Sequence, residues 1–233
     1  MINYQSILVV TYGRSGSTLL QGVINSIDGV LCKGENSFFI YYLYKAYVEL
    51  LKTNAHQGLS EQSPWYGAWS LSPENYLKSS SRLIREQLLT SEDEKGLLAF
   101  GFKEVHYNRP EVIADLEGLL EFYKLVFPNP CFIFNFRKHD DVLKSGWWKE
   151  HDSKIVKKSL EDFEEAAQKY MIHNSNCFQI SYEDVVSTSD KLVRLFDFLG
   201  VPFEIEKIRN ILSLPHSYDL NPSNKHLKKI KIE

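Results

Sequence analysis

The chain has 233 residues, 43% apolar and 24% charged, which suits one α/β domain with a buried core and excludes a disordered chain. Its 27 Lys and Arg against 30 Asp and Glu leave a formal net charge of −3, which argues against a nucleic-acid binder working through bulk positive charge. Cys32, Cys131 and Cys177 have no metal-ligand spacing and are expected to be reduced core thiols of a cytoplasmic protein, and no Asp or Glu cluster suggests a metal site. The first apolar strand begins within a few residues of Met1, so neither a signal peptide nor an integral membrane segment is expected.

The stretch 6–24, SILVVTYGRSGSTLLQGVI, predicts a buried strand over 7–10, a tight turn over 11–16 and an amphipathic helix opening at about Ser17. Leu19, Leu20, Val23, Ile24 and Ile27 share one face of that helix. Gly13 and Gly16 let backbone N–H groups turn inward, and the first helical turn adds unpaired donors at the positive end of its dipole. Ser15, Ser17 and Thr18 contribute hydroxyls, and Arg14 a charged fork matched to a tetrahedral oxyanion. The turn therefore reads as a cradle for phosphate or sulfate. It departs from the nucleoside triphosphate loop G-x-x-x-x-G-K-[ST]: aligned on Gly16, Thr11 stands where the first Gly belongs and Ser17 where the Lys belongs.

A short strand over 30–33 follows, ended by Gly34, Glu35 and Asn36, and then an aromatic helix over 38–51 with Phe39, Tyr42, Leu43, Ala46 and Leu50 as its apolar stripe, extended by Tyr41, Tyr44 and Tyr47 as packing residues. The stretch 53–73 lacks periodicity and carries His56, Trp65, Tyr66 and Trp69. Its aromatics either stack on a sugar or line an acceptor pocket, or fold back on the core. Pro73 opens a helix over 74–89. LLAFGFK, 97–103, is a buried strand ending on Lys103, with His106 three residues beyond it. Pro110 opens a helix to 127, and CFIFNF, 131–136, is a buried strand ended by Arg137 and followed by a helix to about 149. A helix over 159–172, a strand over 177–181, a helix over 190–199 closed by Gly200, a short helix over 204–212 and a polar, basic tail complete the chain. Strands alternating with helices predict a parallel sheet covered on both faces, its ligand beyond the carboxyl ends of the strands. Arg14, Glu35, Lys103 and Arg137 follow or end strands, so they are expected to converge on that edge. No repeat or linker divides 1–233.

Two motifs together resemble sulfotransferases that use 3′-phosphoadenosine 5′-phosphosulfate (PAPS). RSGSTL after the first strand is similar to the family's 5′-phosphosulfate loop, and an Arg loop cation is the usage of its tyrosylprotein branch. FRKHDDVLKSGWW places Arg137 at a strand end and Ser145 eight positions on, expected two turns along the next helix; in the family this pair holds the 3′-phosphate. Tyr182 in ISYEDVV resembles the Tyr that contacts the nucleotide, and LFDFLGVPFE resembles the helix and turn beyond it. NPSNKHLKK sits where the family has a basic loop over the nucleotide, with Lys225 its candidate. The resemblance leaves only 53–96 unplaced.

This resemblance implies a P-loop NTPase-like sulfotransferase fold, PAPS as donor with adenosine 3′,5′-bisphosphate (PAP) as product, and no metal. The acceptor would be a hydroxyl on a carbohydrate, glycolipid, tyrosyl group or small alcohol. Glu35, in CKGEN, resembles the Glu that takes the acceptor proton in the tyrosylprotein and heparan branches, and His106 is the alternative base. Arg14 and Lys103 would neutralise the transferred group. Arg14, Ser15, Gly16, Ser17, Thr18, Arg137, Ser145, Tyr182 and Lys225 would hold the nucleotide. The rival readings are a P-loop nucleotide or metabolite kinase and a protein of the same fold that binds nucleotide without turnover.

Overall fold

In the computed structural model, which describes residues 2–56 and 58–214, the five apolar runs become the strands of one parallel sheet. They are β1 (Ser6–Thr11), β2 (Val30–Lys33), β3 (Ala99–Glu104), β4 (Pro130–Phe136) and β5 (Cys177–Ser181), in the order β2-β3-β1-β4-β5. β1 can be central because both of its faces are apolar: Leu8 and Val10 enter one core, Ile7 and Val9 the other. Leu8 lies opposite Phe102 on one side and Phe132 on the other, which brings the carboxyl ends of β1, β3 and β4 level. The segments leaving those three strands therefore share one edge.

The helices are α1 (Ser17–Asn25), α2 (Phe39–Asn54), α3 (Pro73–Leu88), α4 (Pro110–Val126) and α5 (His139–Leu143) in the first two thirds of the chain. Then come α6 (Ser153–Ile172), α7 (Tyr182–Val186), α8 (Asp190–Leu199) and α9 (Ile205–Ser213). α1 and α7–α9 bury one face of the sheet, α2–α6 the other. This is the α/β architecture expected, a parallel sheet flanked by helices. Burial pushes the Cys32 and Cys177 thiols up to about 12, and all three cysteines are unpaired. Among the described residues no helix is long and apolar enough to cross a membrane. Lys225 lies outside the described residues.

Four local expectations are corrected. α2 buries Ile40, Tyr41 and Tyr44, while Tyr42, expected in its stripe, is 62% exposed and Ala46 also faces solvent. The reason is a row of tyrosines filling the gap to α4. Tyr41 donates to Asp115 at 2.9 Å, Tyr44 occupies the space over Gly118, where a Cβ would come 2.3 Å from its hydroxyl, and Tyr47 packs on Phe122 with ring centroids 5.5 Å apart.

These contacts climb α4 as they climb α2, so α2 runs parallel to α4 and away from the carboxyl edge of the sheet. At 1.5 Å per residue its far end stands roughly 24 Å from its start. The aromatic loop 55–72 hangs at that far end, where Asn54 Nδ2 donates to the Leu71 carbonyl at 2.7 Å. Trp65, Tyr66 and Trp69 remain about half exposed, so these three rings neither line the cleft at the sheet edge nor are buried in the core.

The expected helix after β4 is broken. α5 ends at Leu143, Ser145 is extended (φ −113°, ψ 134°), Gly146 takes φ +55°, and a 3-10 turn follows over Gly146–Glu150. α6 opens at Ser153 rather than 159, because Asp152 caps it, accepting from Lys154 N at 2.8 Å and Ile155 N at 3.3 Å.

Candidate active site

The turn between β1 and α1 is held from below by buried polar groups. The Thr11 hydroxyl lies within hydrogen-bond reach of Ser15 Oγ, at 2.8 Å, and of the Asn135 carbonyl, while Asn135 Nδ2 donates to the Ser15 carbonyl at 3.0 Å. This support lets Arg14 and Gly16 take φ +69° and +80°, turning the N-terminus of α1 outward. Among the described residues no side chain caps α1 there and its first turn carries no acid, which leaves its leading N–H groups and the positive end of its dipole toward the opening. Ser17 and Thr18 line the opening, whereas the Ser15 side chain is fully buried and serves the turn.

Two neighbouring segments close on this turn. Trp148 Nε1 donates to the Gly13 carbonyl at 2.9 Å, and the Trp147 ring lies so near that a Cβ on Gly13 would come within 2.6 Å of it. Arg14 Nε donates to Ser145 Oγ at 2.9 Å, and its guanidinium stands 5.8 Å from the centre of the Trp147 ring. These contacts are what break the helix after α5: Ser145 and the two tryptophans are spent on the turn rather than on helical continuation.

On the other side, Tyr182 packs closely against Gly16, where a Cβ would fall 2.2 Å from its ring. Arg137 stacks on Tyr182 at 4.2 Å and donates through Nη1 to the Arg14 carbonyl at 3.1 Å. Its Nε is buried with no partner among the described residues. The backbone at Arg137 is pinned in turn. Its N–H donates to the Tyr12 hydroxyl at 3.0 Å, and Tyr12 donates to Glu164, which also receives His139 Nε2 at 2.9 Å. Burial, with the Glu164 charge beside it, pushes the Tyr12 phenol far up, so it remains a neutral donor.

Lys103 and Glu35 meet as an ion pair, Lys103 buried at the end of β3 and the Glu35 side chain 44% exposed. The turn, Trp147, Tyr182, Arg137 and the Lys103–Glu35 pair border one cleft of about 1060 Å³ at the carboxyl edge of the sheet. Of the sequence-derived candidates, Arg14, Gly16, Ser17, Thr18, Glu35, Lys103, Arg137, Ser145 and Tyr182 all line it. His106 does not. Val105 faces the cleft in that stretch, and His106 turns to Glu104, its Nδ1 2.6 Å from Oε1. Sequence reasoning missed Trp147 and the apolar flank of Val186, Leu212 and Leu214. The adjacent tryptophans of SGWW were the available signal for the first; the second comes from helix ends distant in sequence. Among the described residues no cluster of His, Cys, Asp and Glu could hold a metal ion.

A model of the Sulfotransferase family matches residues 6–205. The structure is similar to the sulfotransferase domain of the Synechococcus PCC 7002 olefin synthase, with a TM-score of 0.59 at 18% identity over 96% of this chain and 82% of that one. At that identity the likeness speaks to the fold. Sulfotransferase STF9 from Mycobacterium avium gives a TM-score of 0.44 at 10% identity, over 89% of this chain and 67% of that one, too low to carry an argument. No curated protein matches the chain.

Proposed function

Because the chain belongs to the sulfotransferase family, we propose that it transfers the sulfuryl group of PAPS to a hydroxyl acceptor. The observation that carries this reading is the convergence of Arg14, Lys103 and Arg137 with one carboxylate, Glu35, around the uncapped N-terminus of α1. Three cations and a helix N-terminus suit a donor that presents a phosphosulfate and a separate 3′-phosphate. The buried Arg137 Nε, without a partner among the described residues, fits as well, because a phosphate oxygen would supply an acceptor. A kinase reading has less support: Ser17 follows Gly16, so the loop carries no Lys at the triphosphate position.

When bound, PAPS supplies an activated sulfuryl group and PAP as leaving phosphate. The N–H groups and hydroxyls of Ser17 and Thr18, with Arg14, bind the phosphosulfate. Arg137 and Ser145 hold the 3′-phosphate, and Tyr182 with Val186, Leu212 and Leu214 forms an apolar slot for the adenine. Ser15 contributes by holding the loop from beneath. Lys103 and Glu35 act at one point: the cation offsets charge on the transferred group, and the Glu35 carboxylate takes the acceptor's proton. Val105, not His106, reaches the cleft, which supports Glu35 as the base over His106. Hydroxyls of carbohydrates, glycolipids, tyrosyl groups and small alcohols all meet this chemistry.

Incubation with PAPS labelled in the sulfuryl group, beside ATP labelled in the γ-phosphate, tests the reading across a panel of hydroxyl compounds. Sulfuryl label is expected on at least one of them; transfer of the phosphate label instead would overturn it. Arg137→Ala is expected to raise the Kd for PAP by about 10- to 100-fold, the weight of a charged hydrogen bond, with little change in Tm. Unchanged affinity in that variant removes the role assigned to Arg137.

A further inference from the structure

We propose that Glu104 is a positioning residue: its buried carboxylate grips the backbone of the loop that carries Glu35 and so holds the base against Lys103. The inference rests on the reading of Glu35 as the proton acceptor and adds to it the group that fixes where that acceptor stands.

Glu104 is the last residue of β3 and has no solvent exposure. A bare carboxylate in such a place is unfavourable unless its lone pairs are filled. Here all are taken. Oε2 accepts from Asn36 N at 3.3 Å and Phe38 N at 3.0 Å; Oε1 accepts from Val105 N at 2.8 Å and faces His106 Nδ1 at 2.6 Å. Two of these four partners come from the loop between β2 and α2, and the first of them is the residue after Glu35. No other hydrogen bond from a side chain to the backbone of 34–38 is present among the described residues.

The loop needs such a grip. Ser37 and Phe38 take φ +53° and +64° in succession, a backbone region that side-chain-bearing residues adopt only where their surroundings over-determine it. Phe38 is also the residue from which α2 starts, so its conformation sets both the entry of that helix and the path back to Glu35. The alternation of a strand explains why one dipeptide performs both tasks. Lys103 and Glu104 are adjacent and point to opposite sides of β3. Lys103 enters the cleft and pairs with the Glu35 side chain, while Glu104 turns inward and holds the Glu35 loop by its amides. Glu35 is thereby fixed at two points, side chain and backbone, from one strand end. His106 belongs to this device as the fourth partner of Glu104, which accounts for its turning away from the cleft.

Glu104→Gln keeps the size of the side chain but replaces one acceptor oxygen by a donor, which opposes either the loop amides or Val105 N. Three measurements on the full chain test the proposal. Amide hydrogen exchange at Asn36 and Phe38, without ligand, is expected to quicken by at least about tenfold while the strands stay protected. The Kd for PAP is expected to hold within about twofold. PAP formation from PAPS with water as the hydroxyl probe is expected to fall by about 10- to 100-fold, and this fall should vanish when Glu104→Gln is added to Glu35→Gln, since a group acting through Glu35 has no further effect once the base is gone. Unchanged exchange at the two amides, or losses that simply add in the double variant, would overturn the proposal while leaving Glu35 as the base. Full turnover in Glu35→Gln alone would instead remove the reading it rests on. Glu104→Asp retains the buried charge and shortens the reach by one methylene; should Glu104→Gln not fold, the same signature at reduced size is expected there, and wild-type exchange and turnover in Glu104→Asp would overturn it.

Discussion

Replacement of Glu35 by glutamine is expected to lower PAPS turnover by about 10²- to 10⁴-fold, the range of a positioned general base. The affinity for PAP is expected to stay within about twofold, because the base acts on the acceptor and not on the nucleotide. Glutamine suits the test: its amide oxygen can still accept from the buried Lys103, and the 44% exposure of the Glu35 side chain leaves room for the neutral amide. PAP formation with water as the hydroxyl probe reads the first quantity and calorimetric titration with PAP the second. Equal losses in both would make Glu35 a nucleotide-binding or structural residue.

Arg14→Ala is the second large effect. Arg14 is the loop cation nearest the α1 N-terminus, and loss of one such charge from a transition-state site lowers kcat by about 10²- to 10³-fold. The backbone at Arg14 is left-handed at φ +69°, and alanine is no worse there than arginine, so Tm should change little. Arg14→Lys restores the charge without the planar fork and is expected to recover part of the rate. Wild-type turnover in Arg14→Ala would place the loop cation elsewhere.

The elements that border the cleft were readable where local pattern and tertiary structure agree. The run from Ser6 through α1 is one such place: the apolar strand, the Gly-containing turn and the Leu19, Leu20, Val23, Ile24 face are each specified within a few residues, and the structure reproduces them. Arg137 was readable for the same reason, since the chain leaving the interior strand β4 emerges at the carboxyl edge of the sheet, where the cleft lies.

What could not be read depends on partners far along the chain. Ser145 was expected on a continuous helix, but its contact with Arg14, 131 positions away, and the Trp148 bond to Gly13 pull the segment out of helical form. On α2 the packing role of Tyr41, Tyr44 and Tyr47 was legible, whereas Tyr42 and Ala46 were misplaced, because the rings and hydroxyls of the three tyrosines meet α4 and turn those two positions to solvent, which periodicity alone does not reveal. By composition Trp65, Tyr66 and Trp69 left a binding surface and packing on the core equally open; only the direction of α2 shows that they sit far from the cleft at the carboxyl edge. Glu104 fell just beyond the strand expected over 97–103, where a charged residue is ordinarily solvated, yet it is the buried last residue of β3. Its loop donors lie 66 and 68 positions earlier.

The central claim is that the cleft binds a nucleotide with a 3′-phosphate and no metal. Calorimetric titration of the full chain with PAP, alongside ATP plus Mg²⁺, tests it most directly. PAP binding in the presence of a chelator, with no heat from ATP and Mg²⁺, is the result predicted. Binding of ATP with Mg²⁺ and none of PAP would contradict the account and return the chain to the P-loop kinases.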